Sequence, residues 1–169
     1  MKHTYLIILF FLIFSCDKNL EPDPHNNEFL IEVRVFLSET CPVAQYMTLP
    51  LKNSYNQFAS DSVTFTAYFP NLLSTQESIY NFTQKYSIPF SCIDDNTGEM
   101  VSLLGATVYS EVFIIFNGEL VYKGMIDDSY TSLGQWSPAE NNYLYNVLEQ
   151  LLEGNNVEYF ETEAVGCLI

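Results

Sequence analysis

The sequence predicts an α/β domain built on a partly parallel sheet. Two observations carry this. Strand-like apolar runs alternate with helix-like amphipathic stretches from about residue 28 onward, and strands alternating with helices imply parallel pairing with helices on both faces. Near the end, two apolar runs flank Asn117-Gly118. That dipeptide is a strong hairpin signal, and it adds an antiparallel edge.

The elements follow in order. Leu30 to Leu37 is a buried strand rich in β-branched residues. Pro42 to Ala59 has helical periodicity, with Pro50 expected to kink or interrupt it. Val63 to Phe69 alternates as a half-buried strand does and is stopped by Pro70-Asn71. Ser74-Thr75-Gln76-Glu77 forms a capping box, predicting a helix from about Thr75 to Tyr86. Phe90 to Ile93 is a short strand, and Asp94 to Gly98 a turn. Glu99 to Leu104 is a short helix ended by Gly105. Val112 to Phe116 and Glu119 to Tyr122 are the two arms of the hairpin. Ser137-Pro138-Ala139-Glu140 places a capping serine, a first-turn proline and a closing glutamate ahead of a helix over Pro138 to Glu153, stopped at Gly154. There are no internal repeats.

Residues 1–15 stand outside this pattern. Tyr5 to Phe14 is an unbroken apolar run, too short to span a bilayer comfortably and typical of a signal-peptide core. It ends Leu12-Ile13-Phe14-Ser15-Cys16, which resembles a bacterial lipobox. The resemblance implies cleavage before Cys16, acylation of that residue, and a membrane-anchored lipoprotein facing an extracytoplasmic space. Residues 16–27 contain Pro22 and Pro24 without apolar periodicity and form a tether. The expected division is a signal peptide over 1–15, a tether over 16–27, a domain over 28–153 and a C-terminal tail over 154–169. The domain is long enough to bury a real core.

Formal charge is −15, and cleavage would remove Lys2, making the chain one unit more negative. With no basic patch for a phosphate backbone, nucleic-acid binding is excluded. Oligomeric state is not specified. Both histidines, His3 and His25, precede the domain. A Ser-His-Asp triad, a Cys-His pair and a conventional zinc site are therefore excluded from it. No glycine-rich phosphate loop is present, and no cofactor is implied. Asp94-Asp95 and Asp127-Asp128 adjoin turn residues and are expected as solvated turns rather than a cation site. The thirteen Phe and twelve Tyr are expected chiefly at core and half-buried strand positions.

The chemistry concentrates at Cys41, in Ser38-Glu39-Thr40-Cys41-Pro42, where the first strand meets the first helix. A helix N-terminus presents unpaired N–H groups and partial positive charge, which favour thiolate over thiol. Pro42 suits the first helical position because its missing N–H is not needed there. Glu39 opposes thiolate formation, since a nearby carboxylate raises a thiol pKa. The alternative is a buried structural cysteine. Outside the lipobox, Cys41, Cys92 and Cys167 make an odd count, so at least one thiol is free or pairs between molecules.

The strand–Ser-Glu-Thr-Cys-Pro–helix arrangement, followed by Tyr68-Phe69-Pro70-Asn71, Pro89-Phe90, Leu104-Gly105-Ala106-Thr107, Phe113-Ile114-Ile115, Asn117 to Gly124, Gly124-x-Ile126-Asp127-Asp128 and Gly166-Cys167-x-Ile169, resembles thioredoxin-like redoxins. Within them it is most similar to peroxiredoxin-like members of the alkyl hydroperoxide reductase and thiol-specific antioxidant superfamily, in a bacterial lipoprotein branch. The resemblance implies a thioredoxin-like fold and an extracytoplasmic oxidoreductase. In it Cys41 matches the nucleophile, Pro42 the proline that follows it, and Ser38 the hydroxyl residue that hydrogen-bonds peroxide. The implied partner is a thiol or disulfide protein, or a peroxide.

The departures are equally specific. Ala44 stands where thioredoxins carry a resolving cysteine. Ser110 stands at the arginine position of peroxiredoxins. Residues 107–111 contain no proline where the fold usually has a cis one. A non-proline cis bond costs about 2.5–4 kcal/mol, so a trans bond is expected there. The second thiol would come from Cys167 in the tail, or from Cys92, which is expected buried and inert. Two other readings stand beside this one. One is a binding module that has lost catalysis. The other is copper handling as in Sco-type assembly proteins, disfavoured by Gln45 where the second metal-binding cysteine would fall.

Overall fold

The computed structural model describes residues 29–169. The signal peptide, the Cys16 lipobox and the tether lie outside the described residues. Eight strands and four helices follow in the order β1 (Ile31–Phe36), α1 (Pro42–Phe58), β2 (Val63–Phe69), α2 (Gln76–Tyr86), β3 (Ser91–Asp94), α3 (Glu99–Leu104), β4 (Val112–Phe116), β5 (Glu119–Gly124), β6 (Tyr130–Ser132), β7 (Gln135–Trp136), α4 (Tyr143–Leu152) and β8 (Phe160–Glu161).

Six strands form one mixed sheet in the order β3-β2-β1-β4-β5-β8. β1, β2 and β3 run parallel, joined through α1 and α2. β4 lies antiparallel to both β1 and β5. Asn117 and Gly118 take positive φ of 51° and 86°, the left-handed pair that a tight hairpin between right-twisted strands requires. β6 and β7 pair separately as a small hairpin.

The strand alternation sorts side chains to two faces. Ile31, Val33 and Val35 of β1 join the main core, with Val43, Met47 and Leu51 of α1, Ile79 and Phe82 of α2, and Leu144, Leu148 and Leu151 of α4. Phe36, Tyr68 and Phe113 face the other way and are covered by Met100, Val101 and Leu104 of the short α3. Phe36 meets Phe113 edge-on at 5.6 Å between ring centroids, a favoured aromatic geometry.

Three local readings give way to tertiary contacts. α1 continues through Pro50, whose ring is buried on the core face with Met47 and Leu51. Packing there outweighs the lost backbone donor. α2 takes Thr75 as its cap, with Ser78 rather than Glu77 completing the box. Ser74 is occupied elsewhere, donating to Glu39 at 2.8 Å. α4 begins at Tyr143, capped by Asn142, and not at Pro138. The N–H groups of Glu140 and Asn141 donate instead to Asp128 at 2.8 and 2.9 Å, and Ser137 N–H donates to Ser129 at 2.9 Å. These bonds pin residues 137–141 to the preceding loop.

The segment after Gly154, expected as a tail, returns to the sheet. β8 adds beside β5 in parallel, and Val108 pairs with Leu168 in an antiparallel bridge.

Candidate functional site

Cys41 is the N-cap of α1, with extended backbone (φ −85°, ψ 115°) and Pro42 beginning the helix. β1 delivers the chain to this point, and the Cys41 carbonyl accepts the Gln45 N–H at 3.0 Å, closing the first turn. The first turn carries no acidic residue. Cys41 is 1% exposed and Ser38 is fully buried. Ser38 Oγ lies 3.1 Å from Thr40 Oγ1 and accepts the Thr40 N–H at 3.3 Å, which shapes the tight approach to the helix.

Glu39 turns away toward α2. Its carboxylate accepts hydroxyls from Ser74 at 2.8 Å and Ser78 at 2.6 Å, while its carbonyl accepts the Gln45 side chain at 2.6 Å. The carboxylate that counted against a thiolate at Cys41 is therefore tied to the start of α2.

The second wall is the loop of residues 107–111 ahead of β4. Glu111, itself buried, accepts from the Thr107 N–H at 2.7 Å and lies 3.5 Å from Lys123. Ser110 sits at φ 79°, unusual outside glycine, and its N–H donates to Phe36 at 2.6 Å. No peptide bond among the described residues is cis, so residues 107–111 run trans as expected.

The third wall is the C-terminal segment. Thr162 N–H donates to Lys123 at 3.0 Å, and its hydroxyl meets Tyr122 at 2.7 Å and accepts the Met125 N–H at 2.8 Å. Ser110 Oγ donates to the Val165 carbonyl at 2.9 Å. Tyr109 N–H donates to Cys167 at 2.9 Å, and Ile169 N–H to Thr107 at 3.1 Å. This run of bonds carries Cys167 to Cys41. Both thiols are free. Burial, then hydrogen bonding with Cys41 and the charge on that sulfur, push the Cys167 thiol up to about 11. Tyr109 closes the cluster. Burial raises its pKa, the charges of Glu39, Cys41 and Cys167 add to this, and hydrogen bonding with Ser38 acts the other way.

The structure thus brings Ser38, Cys41, Pro42 and Cys167 together. Cys92 lies on edge strand β3, where burial pushes its thiol up to about 12. The aspartate pairs organise turns. Asp95 accepts backbone N–H groups of Met100 and Val101, and Asp127 accepts from Ser129. Although burial opposes it, bonds from Asn141 and Glu140 hold the Asp128 carboxyl below its ordinary value. Among the described residues, no group of three or more His, Cys, Asp or Glu is placed to hold a metal ion. No described helix is long and apolar enough to cross a membrane.

Sequence reasoning missed Tyr109, and read Gly166 only within the Gly166-Cys167-x-Ile169 resemblance. Nothing local singles out Tyr109 among twelve tyrosines. Gly166, directly before Cys167, was a legible signal for a close backbone approach.

No known protein-family profile matches the chain. No curated protein matches it in sequence. Solved structures do match in shape. A conserved protein from Geobacillus kaustophilus superposes with a TM-score of 0.70 at 24% identity, over 83% of this chain and 76% of that one. A hypothetical protein from Sinorhizobium meliloti 1021 gives 0.72 at 21% identity, over 82% and 78%. The thioredoxin domain of a thiol-disulfide oxidoreductase from Bacteroides vulgatus gives 0.51 at 13% identity, over 72% and 79%. With parallel β1, β2 and β3, the antiparallel β4–β5 hairpin and a cysteine capping the first helix, the chain has a thioredoxin-like fold.

Proposed function

We propose that this protein is a thiol–disulfide oxidoreductase in which Cys41 is the nucleophile and Cys167 the resolving thiol. The observation that carries the reading is the docking of Cys167 against Cys41 by bonds from two separate elements, β5 and the 107–111 loop. Ala44 leaves the usual neighbouring position without a thiol, and the C-terminal segment supplies one from the opposite end of the fold.

In the reducing direction, the Cys41 thiolate attacks a partner disulfide. A Cys41–partner S–S bond forms and the other partner sulfur leaves as a thiolate. The Cys167 thiol then loses its proton and attacks Cys41. The Cys41–Cys167 bond forms, the partner's second sulfur departs and takes up a proton, and the partner disulfide has gained two electrons. The reverse sequence oxidises a partner dithiol. Pro42 sets the helix start beneath the nucleophile, and Ser38 fixes the loop that holds it.

The thiol–disulfide version is favoured over peroxide reduction. Ser38, the hydroxyl that would meet peroxide, is fully buried and already bonded to Thr40. The same proposal places the enzyme on an extracytoplasmic membrane face, tethered through acylated Cys16. Its partners are thiol or disulfide proteins.

Thiol trapping with mass spectrometry tests the mechanism. Mild oxidation is expected to yield a Cys41–Cys167 disulfide, and Cys167→Ser is expected to accumulate mixed disulfides at Cys41. If neither forms, and Cys41→Ser matches the parent in disulfide exchange, the fold serves as a binding module instead.

A further inference from the structure

Two glycines allow close contacts of the C-terminal segment, Gly124 against it and Gly166 within it. A Cβ on Gly124 would overlap Thr162, and a Cβ on Gly166 would overlap the Tyr109 carbonyl. The second contact lies one residue before Cys167, in a stretch whose backbone already pairs with Thr107 and Tyr109. Residues 167–169 therefore meet the 107–109 edge in a single antiparallel bridge, directly after a bend at Gly166. In this arrangement Cys41 and Ser38 are sealed from solvent. Any segment docked in this register, with its cysteine at Cys41, must pass the Tyr109 carbonyl at the position before that cysteine. No side chain fits there.

We propose that the Tyr109 carbonyl makes this site selective for partner segments with glycine immediately before the reacting cysteine, and that Gly166-Cys167 is the chain's own occupant of that subsite. The inference rests on the thiol–disulfide reading of Cys41 and names its substrate class. A partner displaces residues 164–169 and lays its own backbone along residues 107–109, gaining the bonds that the tail gives up. Cys41 then attacks the partner sulfur, and the returning Cys167 resolves the mixed disulfide. Glycine is admitted because Gly166 shows the only side-chain size that the Tyr109 carbonyl tolerates at this position. Because the built-in tail is tethered, it competes at high effective concentration, so partners react slowly until it is displaced.

The test uses the full chain. Gly166→Ala combined with Cys167→Ser undocks the tail and removes the resolving thiol. A chain ending at Glu163 is the second variant, and far-UV circular dichroism checks that each is folded. Maleimide labelling, located by mass spectrometry at the Cys41 peptide, is expected to run at least about tenfold faster in both than in Cys167→Ser alone. Unchanged labelling overturns the seal.

Two peptides, Val-Gly-Cys-Leu-Ile and Val-Ala-Cys-Leu-Ile, are then supplied as mixed disulfides with thionitrobenzoate. Attack by Cys41 joins it to the peptide and releases thionitrobenzoate, the lower-pKa leaving group. The glycine peptide is expected to react with the tail-free variants about tenfold faster or more. Equal rates overturn the glycine rule, and if dithiobis(nitrobenzoate) still modifies Cys41 the proposed function stands. Failure of Cys41 to react with that small disulfide sinks the proposed function itself. A disulfide between Cys41 of one copy and Cys167 of another, as the main product of oxidising the parent chain, overturns the assignment of the subsite to the chain's own tail.

Discussion

At Cys167, three causes raise one thiol against a weaker backbone hydrogen bond: burial first, then hydrogen bonding with Cys41 and the charge of its sulfur. Removing Cys41 removes the last two. Cys41→Ser is therefore expected to speed alkylation of Cys167 at pH 8–9 severalfold, because each pKa unit is roughly tenfold in thiolate. An unchanged rate would show that burial alone sets its reactivity. Ser54 offers a different residue-scale prediction. Its Oγ is the one buried side-chain oxygen without a hydrogen-bond partner among the described residues. Leaving such a group unpaired costs about 1–3 kcal/mol, so Ser54→Ala should stabilise the protein by about 1 kcal/mol. A lower urea midpoint for the variant would refute this.

At the scale of elements, Glu39 joins the β1–α1 turn to the start of α2. Glu39→Ala removes two hydrogen bonds to a carboxylate and leaves Ser74 and Ser78 to find other partners. Bonds to charged groups contribute about 1.5–3 kcal/mol each, and water recovers part of this at α2, so a net loss of about 2 kcal/mol is expected in urea unfolding. Helix capping carries a smaller effect. Asn142→Ala removes the bond accepted from Tyr145 N–H and should cost about 1 kcal/mol. The elements also show where sequence reading reaches its limit. β1, β2, α3 and the hairpin were legible because each is written in local pattern: alternation, a stopping glycine, Asn-Gly. The start of α4 was not. Ser137 to Glu140 satisfies every local rule for a helix start, yet Asp128, twelve residues earlier in the chain, captures the N–H of Glu140.

For the whole molecule, pH dependence follows from thiols held protonated. Cys92 rises from 9.0 to about 12 and Cys167 from 9.0 to about 11, each chiefly through burial. The folded state binds these protons more tightly than the unfolded chain. Stability is therefore undiminished below about pH 9 and falls as pH rises through 9–12. A urea midpoint that declines over that window, with a shallower slope in Cys92→Ser, is the expected result. A flat profile would exclude the buried-thiol account.

The sequence by itself determined the α/β class, the strand-to-helix junction that holds Cys41 and Pro42, and the lack of any histidine after His25, since these depend on neighbouring residues or on composition. Only the tertiary structure decided where Cys167 lies. No local pattern in residues 154–169 encodes a destination. Their path depends on Thr162 meeting Tyr122, Gly166 meeting Tyr109, and Ser110 reaching Val165, contacts between residues 40 to 57 positions apart. The approach of Cys167 to Cys41 exists only once the sheet has formed, because β5 and the loop ahead of β4 are what hold the C-terminal segment.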